Sequence, residues 1–334
     1  MKKLIFLKAR LLLFVVACGL FLQACNKDRK EVKPLTSNST SKKLTPSASN
    51  VLERSRSIIS GCGGIFHDAS GQVTIQIFCN DFGPASHPNS NERAVNVGPD
   101  YVCVGGGGLA DYKVHGAYLT ESRPTGDFRG WVVTSKDHIR EDRHKLHAYA
   151  IGLKLRGVTA DQLRQHLKIF PGQESYLEAA PRSEAIITDN SYALIGGGVQ
   201  IRDDHKGSLL VASYPEGSSW VVKSKDHVIS DPARIKAYAI GIKRYIPGFG
   251  SLETDIESAE DQSVKYSPKE VTFTLPSDGY VLSSVGAYAE YNGKGRLLYM
   301  MRPLSGTQVE VGSKDHIRPD NGRLHAYAVR IKKR

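Results

Sequence analysis

One tetrapeptide, Ser-Lys-Asp-His, occurs three times in this chain of 334 residues, at 135–138, 224–227 and 313–316. The two intervals between the copies are equal, at 89 residues. Each copy is followed at the same distance by Ala-Tyr-Ala, at 148–150, 237–239 and 326–328. A fixed period of this length indicates a repeated structural unit. The chain is therefore expected to fold as three copies of one unit.

Within the repeat, apolar residues alternate with a period of two. In segment 147–154, Tyr149, Ile151 and Leu153 fall on one side of an extended chain. Short apolar runs rich in β-forming residues precede the first two tetrapeptides, at 131–134 and 220–223, and Gly, Pro, Asn and Asp cluster between the runs. This pattern predicts four or five short antiparallel strands in each repeat. Segment 159–169 is the one place where a short helix is an alternative.

Three sheets with one apolar face each bury those faces most economically against one another. We therefore predict an all-β fold, with three repeated antiparallel sheets of about 89 residues in a pseudo-threefold, β-prism-like arrangement. The predicted repeats are residues 58–155, 156–244 and 245–334. The alternative is three independent small sandwiches. The single body is favoured because no Ser/Pro-rich linker separates the repeats.

The first 25 residues have the order of an export signal. A basic start (Lys2, Lys3, Lys8, Arg10) precedes an apolar run at 11–21 that is too short for a permanent membrane helix. The run closes on Leu-Gln-Ala-Cys at 22–25, which resembles the lipobox of bacterial lipoprotein signal peptides. The resemblance implies cleavage after residue 24, acylation of Cys25, and export to the outer membrane, on its periplasmic or cell-surface side. An ordinary secretory signal with an incidental Cys25 is the alternative.

The net charge of +11 comes mainly from this signal and from residues 25–57, a polar stretch that we expect to be a flexible tether. Residues 58–334 carry 33 basic and 31 acidic residues. A nucleic-acid-binding protein would show a basic footprint on its folded part. The sequence therefore argues against nucleic acid as a partner, and leaves the membrane as the partner of the lipidated N-terminus.

Four cysteines remain after the predicted cleavage, of which Cys25 would carry lipid. Outside the cytoplasm a disulfide is expected to form, and Cys62 with Cys79 is the pair that we favour. Cys103 lies in an apolar run and is predicted to be a small core residue. No pair of Cys-x-x-Cys motifs is present. We therefore expect neither a zinc knuckle nor another cofactor.

The repeated tetrapeptide has two interpretations. In the first, its Ser and Asp side chains bind the backbone of the loop that follows a strand. In the second, each copy is a ligand site, with a nearby tryptophan that stacks on a sugar ring. The third repeat has Val309 where the others have tryptophan. The candidate ligand-binding residues are Trp131, Lys136, Asp137, His138, Trp220, Lys225, Asp226, His227, Lys314, Asp315 and His316.

Three such sites predict an envelope-anchored binding or adhesion protein with lectin-like carbohydrate recognition, whose partner is a glycan or another envelope or host surface component. A structural or protein-interaction module of the envelope is the alternative. A secreted hydrolase follows less well, because neighbouring residues such as Asp137 and His138 point to opposite faces of a strand. We therefore predict that the protein is not an enzyme. If the threefold axis passes near the loops, His138, His227 and His316 would converge, and three histidines are a known zinc ligand set.

Overall fold

The computed structural model describes residues 61–88, 94–202, 208–261, 263 and 268–334. All of them belong to one compact unit, Ser49–Arg334. No helix in this described part of the chain is long and apolar enough to cross a membrane. The predicted signal, Cys25 and the tether lie outside the described residues, so they stay predictions.

The strands follow the period found in the sequence. The first repeat contains β1 (Ile65–His67), β2 (Val73–Ala85), β3 (Val95–Asn96), β4 (Val102–Asp111), β5 (Ala117–Pro124), β6 (Gly130–Asp137) and β7 (His144–Leu155). The second contains α1 (Ala160–Arg164), β8 (Leu167–Pro171), β9 (Arg182–Ile186), β10 (Tyr192–Arg202), β11 (Ser208–Glu216), β12 (Ser219–Asp226) and β13 (Arg234–Lys243). The third contains β14 (Tyr245–Ile246), β15 (Gly250–Glu260), β16 (Lys269–Thr274), β17 (Val281–Ala289), β18 (Leu297–Ser305), β19 (Gln308–Lys314) and β20 (Leu324–Lys333).

The strands form three antiparallel sheets, which confirms the predicted all-β, β-prism-like fold. The strand orders are β1-β2-β7-β4-β18-β19-β16, β3-β6-β5-β10-β13-β8 and β14-β15-β20-β17-β11-β12-β9. None of these sheets is built from a single repeat, however. The first joins β2, β7 and β4 of the first repeat to β18, β19 and β16 of the third, and the other two sheets follow the same rule in turn.

The exchange of strands explains why the repeats close into one body. Where two repeats meet in a sheet, they are joined through two residue pairs, such as Ser122 with Val199 and Glu121 with Gln200 between β5 and β10. The same short junction joins β11 to β17 and β18 to β4. In a separate repeat, two strands would lose these neighbours, such as β4 and β5 of the first repeat, so separate folding of the repeats is disfavoured.

Around the pseudo-threefold axis, β4, β10 and β17 come unusually close. The register shifts by one residue between Cys103 and Gly105, between Leu194 and Gly196, and between Leu282 and Ser284. A Cβ atom at Gly105 would overlap the carbonyl of Ser283, and one at Gly196 would overlap the carbonyl of Val104. The glycine runs of the first two repeats therefore permit a close backbone approach at two of the three equivalent bulges, and the third has Ser284 in that place.

Both tryptophans pack in the core between sheets. Trp131 is 1 % exposed and Trp220 is 0 % exposed. Their indole N–H groups donate to the hydroxyls of Ser122 and Ser213, each at 2.9 Å. Since neither ring offers a face to solvent, the prediction that these tryptophans stack on a sugar is wrong. Valines flank each tryptophan in the sequence, as expected for a residue of the core. A large apolar ring is more stable buried between the sheets than exposed to solvent.

The remaining predictions within this body concern cysteine and the short helix. Cys62 and Cys79 form the expected disulfide, with Cα atoms 5.8 Å apart. Cys103 is a buried free cysteine, and burial raises the pKa of its thiol. Within segment 159–169 only α1 is helical, and it begins with a capping box in which Thr159 and Gln162 bind each other's backbone N–H groups.

Candidate functional site

The three tetrapeptides lie together at one end of the prism, which we call the apex. Each copy spans the end of β6, β12 or β19 and leads into a loop, at 138–143, 227–233 and 315–323. Two connecting loops, 112–116 between β4 and β5 and 291–296 between β17 and β18, lie against these loops and belong to the apex as well. The equivalent connecting loop of the second repeat includes 203–207, outside the described residues.

His138, His227 and His316 form a triangle at the apex. Their ring centroids are 5.2 Å (138 to 227), 5.6 Å (138 to 316) and 5.3 Å (227 to 316) apart. The three residues are 3 %, 0 % and 2 % exposed. The pseudo-threefold arrangement therefore brings three residues together that lie 89 positions apart in the chain.

The imidazoles bind the backbone of other repeats. His316 Nδ1 lies 3.0 Å from the carbonyl oxygen of His115, and His227 Nδ1 contacts the carbonyl oxygen of Lys294. His138 Nε2 lies 2.7 Å from the carbonyl oxygen of His227. Because a carbonyl oxygen only accepts, the ring nitrogen that faces it carries the proton and donates. His316 thus links the third repeat to the first, His227 links the second repeat to the third, and His138 links the first repeat to the second.

The alternative of a metal site at this triangle stays a prediction. Over the described ranges of the chain, no group of three or more His, Cys, Asp or Glu side chains is placed to hold a metal ion. The carbonyl contacts of His227 and His316 use Nδ1, and Nε2 of both rings is buried without a hydrogen-bond partner. The backbone contacts therefore account for one nitrogen of each of these two rings.

Burial lowers the pKa of two of these rings. Burial, assisted by the neighbouring rings of His138 and His316, lowers the pKa of His227 to about 4, although its hydrogen bond to Lys294 acts in the opposite direction. Burial also lowers the pKa of His316. A charge on one ring would lie close to two other rings and to the ammonium groups of Lys225 and Lys314, which explains the direction of both shifts.

The tetrapeptide lysines also reach across to another repeat. Lys225 Nζ donates to the carbonyl oxygen of Gly293 at 2.9 Å and lies 3.7 Å from the ring centroid of Tyr291. Lys314 Nζ donates to the carbonyl oxygen of His115 at 2.8 Å. Burial lowers the pKa of Lys225 to about 8. The two lysines therefore stabilise junctions between repeats, and Lys225 offers little surface to a ligand.

The tetrapeptide aspartate caps the loop that follows it. The N–H group of Asp142 donates to Asp137 Oδ2 at 2.9 Å, that of Asp231 to Asp226 Oδ2 at 2.9 Å, and that of Asp320 to Asp315 Oδ2 at 3.1 Å. One hydrogen bond recurs in all three repeats. It identifies the capping of a loop as a shared role of this carboxylate.

A second repeated aspartate at the apex was missed in the sequence analysis. Asp142 accepts hydrogen bonds from four consecutive backbone N–H groups, those of residues 113–116, at 2.6 to 3.1 Å. Burial acts to raise the pKa of Asp142, but these four donors outweigh it, and the pKa is lowered overall. Asp142, Asp231 and Asp320 share the 89-residue period, so the signal was present in the sequence.

Each tetrapeptide is followed by a β-branched residue in a strained turn. Ile139, Val228 and Ile317 have φ angles of 63°, 64° and 58°. In each case the N–H group of the next residue donates to the carbonyl oxygen of the preceding histidine, which closes a γ-turn. β-Branched residues rarely adopt positive φ. The three side chains are 47 %, 40 % and 47 % exposed, so strained turns hold them out in solvent.

A cavity of about 400 Å³ opens beside the first tetrapeptide. Its polar lining includes His87, Lys136, Asp137, His138, Arg140 and Glu141, and its apolar lining includes Ile139 and Ile229. Three of the predicted candidate residues, Lys136, Asp137 and His138, therefore do face a common space. Ile229 comes from the second repeat, so the cavity lies at a junction between repeats.

A second cavity, of about 430 Å³, lies in the second repeat. Segment 173–184 forms it, with Glu174, Glu178, Arg182 and Glu184 in its wall and the 81 % exposed Tyr176 among its lining residues. Arg182 lies 3.3 Å from Glu184, so part of this charge is paired within the wall. No repeated motif marked this segment, and the sequence analysis did not find it.

No family model matches the chain, and no curated protein is significantly similar to it. What the protein does has therefore to be inferred from the apex and the two cavities. At the apex, the histidine triangle, Lys225 and Lys314 hold the repeats together, and the two sets of aspartates hold the loops within each repeat. The side chains left for a ligand are those at the mouth of the first cavity and on the three γ-turns.

Proposed function

We propose that the chain is an exported, lipid-anchored adhesion protein that binds carbohydrate at its apex. Export and anchoring rest on the sequence of residues 1–25, which resembles a lipoprotein signal. Carbohydrate recognition rests on one observation, the cavity of about 400 Å³ beside the first tetrapeptide. Its mixed lining of donors, acceptors and aliphatic carbon suits a sugar, whose hydroxyl groups and C–H surfaces need both.

The path of the chain supports an adhesive role. The first described residue, Gly61, packs against the backbone of Leu304 near the end of β18. The other end of β18 lies at the apex, where Leu297 pairs with Lys314. Gly61, the first described residue after the predicted anchor and tether, therefore lies at the end of the body opposite the apex.

The groups that bind the sugar are proposed to be those at the mouth of the cavity. His87 has a 64 % exposed side chain and lies 3.4 Å from Asp137, which orients its ring. Arg140 and Glu141 are both exposed. Lys136 and His138 line the cavity from the buried side, where they are 5 % and 3 % exposed. They form the floor of the cavity and help to set its shape, while the exposed residues at the mouth are the ones proposed to contact the sugar.

A glycan-array screen of residues 49–334 tests this proposal. Glu141→Gln and His87→Ala are expected to lose most of the binding. The first replaces a carboxylate oxygen at the cavity mouth with a donor, the second removes an imidazole there, and neither removes a contact between repeats. Arg318→Gln is the matched control, since Arg318 occupies the place of Arg140 in the third repeat. Its binding is expected to equal that of the parent.

The outcomes separate the two cavities. Binding that is lost in Tyr176→Ala but kept in Glu141→Gln would transfer the site to the second cavity. An array on which the parent protein binds nothing would contradict carbohydrate recognition altogether, provided that circular dichroism shows an intact β-sheet fold.

A second candidate function is a structural or protein-interaction module of the envelope. It is favoured by the side chains of the tetrapeptides, because most of their described hydrogen bonds bind loops within the body. Cross-linking in intact cells, followed by identification of the captured proteins, tests this candidate. One partner that is captured through residues of the apex, together with a blank glycan array, would favour it over adhesion to sugars.

A further inference from the structure

Exposed aliphatic side chains are concentrated at the apex. Ile139, Val228 and Ile317 project from the γ-turns, and Ile229 follows Val228. Val114 lies in the connecting loop 112–116, which Asp142 binds. Their exposures range from 40 % for Val228 to 70 % for Val114. Exposed aliphatic residues that cluster at one end of a soluble body indicate a contact surface.

The γ-turns keep three of these side chains exposed at an energetic cost. Asparagine or glycine would fit the positive φ of positions 139, 228 and 317 without strain. The chain has Ile, Val and Ile there instead. The turn itself is needed to direct the histidine carbonyls, but the turn does not require an aliphatic side chain. Backbone strain of this kind is typical of functional positions.

Basic residues surround these aliphatic side chains. Among the described residues of the apex, six cations are exposed: Lys113, Arg140, Arg143, Lys294, Arg318 and Arg323. Glu141 is the exposed acidic residue there, and Asp137, Asp226, Asp231 and Asp315 are half-buried. Asp142 and Asp320 are buried against backbone N–H groups. Over these described residues, exposed cations therefore outnumber exposed carboxylates by six to one, although residues 58–334 as a whole are close to neutral.

We infer that the apex docks on the surface of an anionic lipid bilayer, with the aliphatic γ-turn side chains inserted among the headgroups and the basic residues against the phosphates. Exposed aliphatic residues on separate loop tips suit insertion between lipids. The exposed basic residues near these tips add attraction to anionic headgroups.

This inference shares Ile139, Arg140 and Ile229 with the lining of the proposed sugar site, and it adds Val228, Ile317 and Lys294, which that site does not use. Seating of the tips would bring the neighbouring cavity to the level of the headgroups. The two proposals are therefore compatible, and they can fail separately. Glu141→Gln is expected to keep vesicle binding, because it removes a negative charge and leaves every aliphatic tip in place.

Co-sedimentation of residues 49–334 with vesicles tests the inference. Vesicles of phosphatidylcholine with about one third phosphatidylglycerol are compared with phosphatidylcholine alone. The protein is expected to bind the anionic vesicles, and to bind them more weakly as salt screens the charges. The combined variant Ile139→Asn, Val228→Asn, Ile317→Asn is expected to bind at least about tenfold more weakly, because its tips no longer enter the lipid.

Two controls make the result specific. Ile65→Asn, Ile186→Asn and Tyr245→Asn change exposed residues away from the apex, with exposures of 53 %, 51 % and 62 %, and should not alter binding. The combined Lys113→Gln, Lys294→Gln and Arg318→Gln variant should lose the preference for anionic vesicles. No sedimentation of the parent with either vesicle, or equal sedimentation of the parent and the γ-turn variant, would overturn the inference.

Discussion

The first two repeats and the third fill the same core position in different ways. Gly106 and Gly197 pair with Ala150 and Ala239, and the equivalent partner of Ala328 is Val285. A Cβ atom at either glycine would overlap the ring of the tryptophan packed on it. In the third repeat, valine replaces the glycine and Val309 replaces the tryptophan, and both valines lie in the main core.

The difference shows what this position requires. A large side chain against a small one, or two side chains of middle size, fill the same space between two sheets. The tryptophan itself is therefore not required, and its loss from the third repeat carries no information about ligand binding. The apex behaves differently, because all three repeats keep the same Ser-Lys-Asp-His and the same second aspartate. Residues there contact other repeats, so one copy cannot change alone.

The largest effect is expected when the first repeat is given the residues that the third repeat has at this core position. Trp131→Val should lower the free energy of unfolding by about 3 kcal/mol, because it leaves a cavity next to Gly106. Adding Gly106→Val should recover at least about 1 kcal/mol of this loss, whereas Gly106→Val alone should destabilise by clashing with the indole ring. Urea unfolding of the four proteins measures the cycle. Losses that simply add would contradict the exchange of volume.

Acid should weaken the apex before it affects most carboxylates. The pKa of His227 falls from its ordinary 6.5 to about 4 in the folded protein. Between these values the unfolded chain binds more protons than the folded one, so stability is complete above about pH 6.5 and declines as pH falls to about 4. The loss should reach about 3 kcal/mol for His227, and His316 acts in the same direction.

Urea unfolding midpoints, measured from about pH 7 to about pH 4, test this expectation. Asp142 provides a built-in contrast, because its lowered pKa means that its contribution is lost only at lower pH, below its ordinary value of 3.8. His227→Gln should be less stable near neutral pH and should show a smaller decline across this window. A parent protein whose stability stays constant down to about pH 4 would show that the histidine triangle is not held neutral.

Much of the fold followed from the sequence, and most of the site did not. The 89-residue period and the two-residue alternation depend on local patterns, so they predicted three antiparallel sheets. The exchange of strands between repeats depends on which edges pair, and pairs such as Ser122 with Val199 leave no local signal. The role of the tetrapeptide depended in the same way on distant carbonyl groups, such as those of His115 and Lys294, which no spacing predicts.

A smaller loss of stability is expected at the second repeated aspartate, where the first and third repeats can be compared. Asp142→Asn should cost about 2 kcal/mol, because an amide oxygen replaces a carboxylate that accepts four backbone hydrogen bonds. Asp320→Asn should cost about 1 kcal/mol, since Asp320 accepts from Asn292 and Gly293. Thermal unfolding ranks the two. Equal losses of stability would contradict this ranking and would indicate that the connecting loops 112–116 and 291–296 depend on their aspartates to the same extent.

The smallest expected effect is a gain in stability at the γ-turns. Val228→Asn should stabilise the fold by about 1 kcal/mol, because asparagine tolerates the positive φ that strains valine. Ile229→Asn, a change of equal polarity at the next residue, is the control and should bring no gain, since Ile229 is not among the residues with positive φ. Ile139→Asn and Ile317→Asn should match Val228→Asn, because the three turns have the same hydrogen bond and similar φ angles.

If thermal unfolding showed no gain at any of the three positions, the turns would hold the aliphatic side chains without strain. Backbone strain would then no longer support the inference that these exposed side chains serve as a contact surface. A gain at all three, accompanied by weaker binding to anionic vesicles, would mean that the apex gives up stability for the surface that it presents.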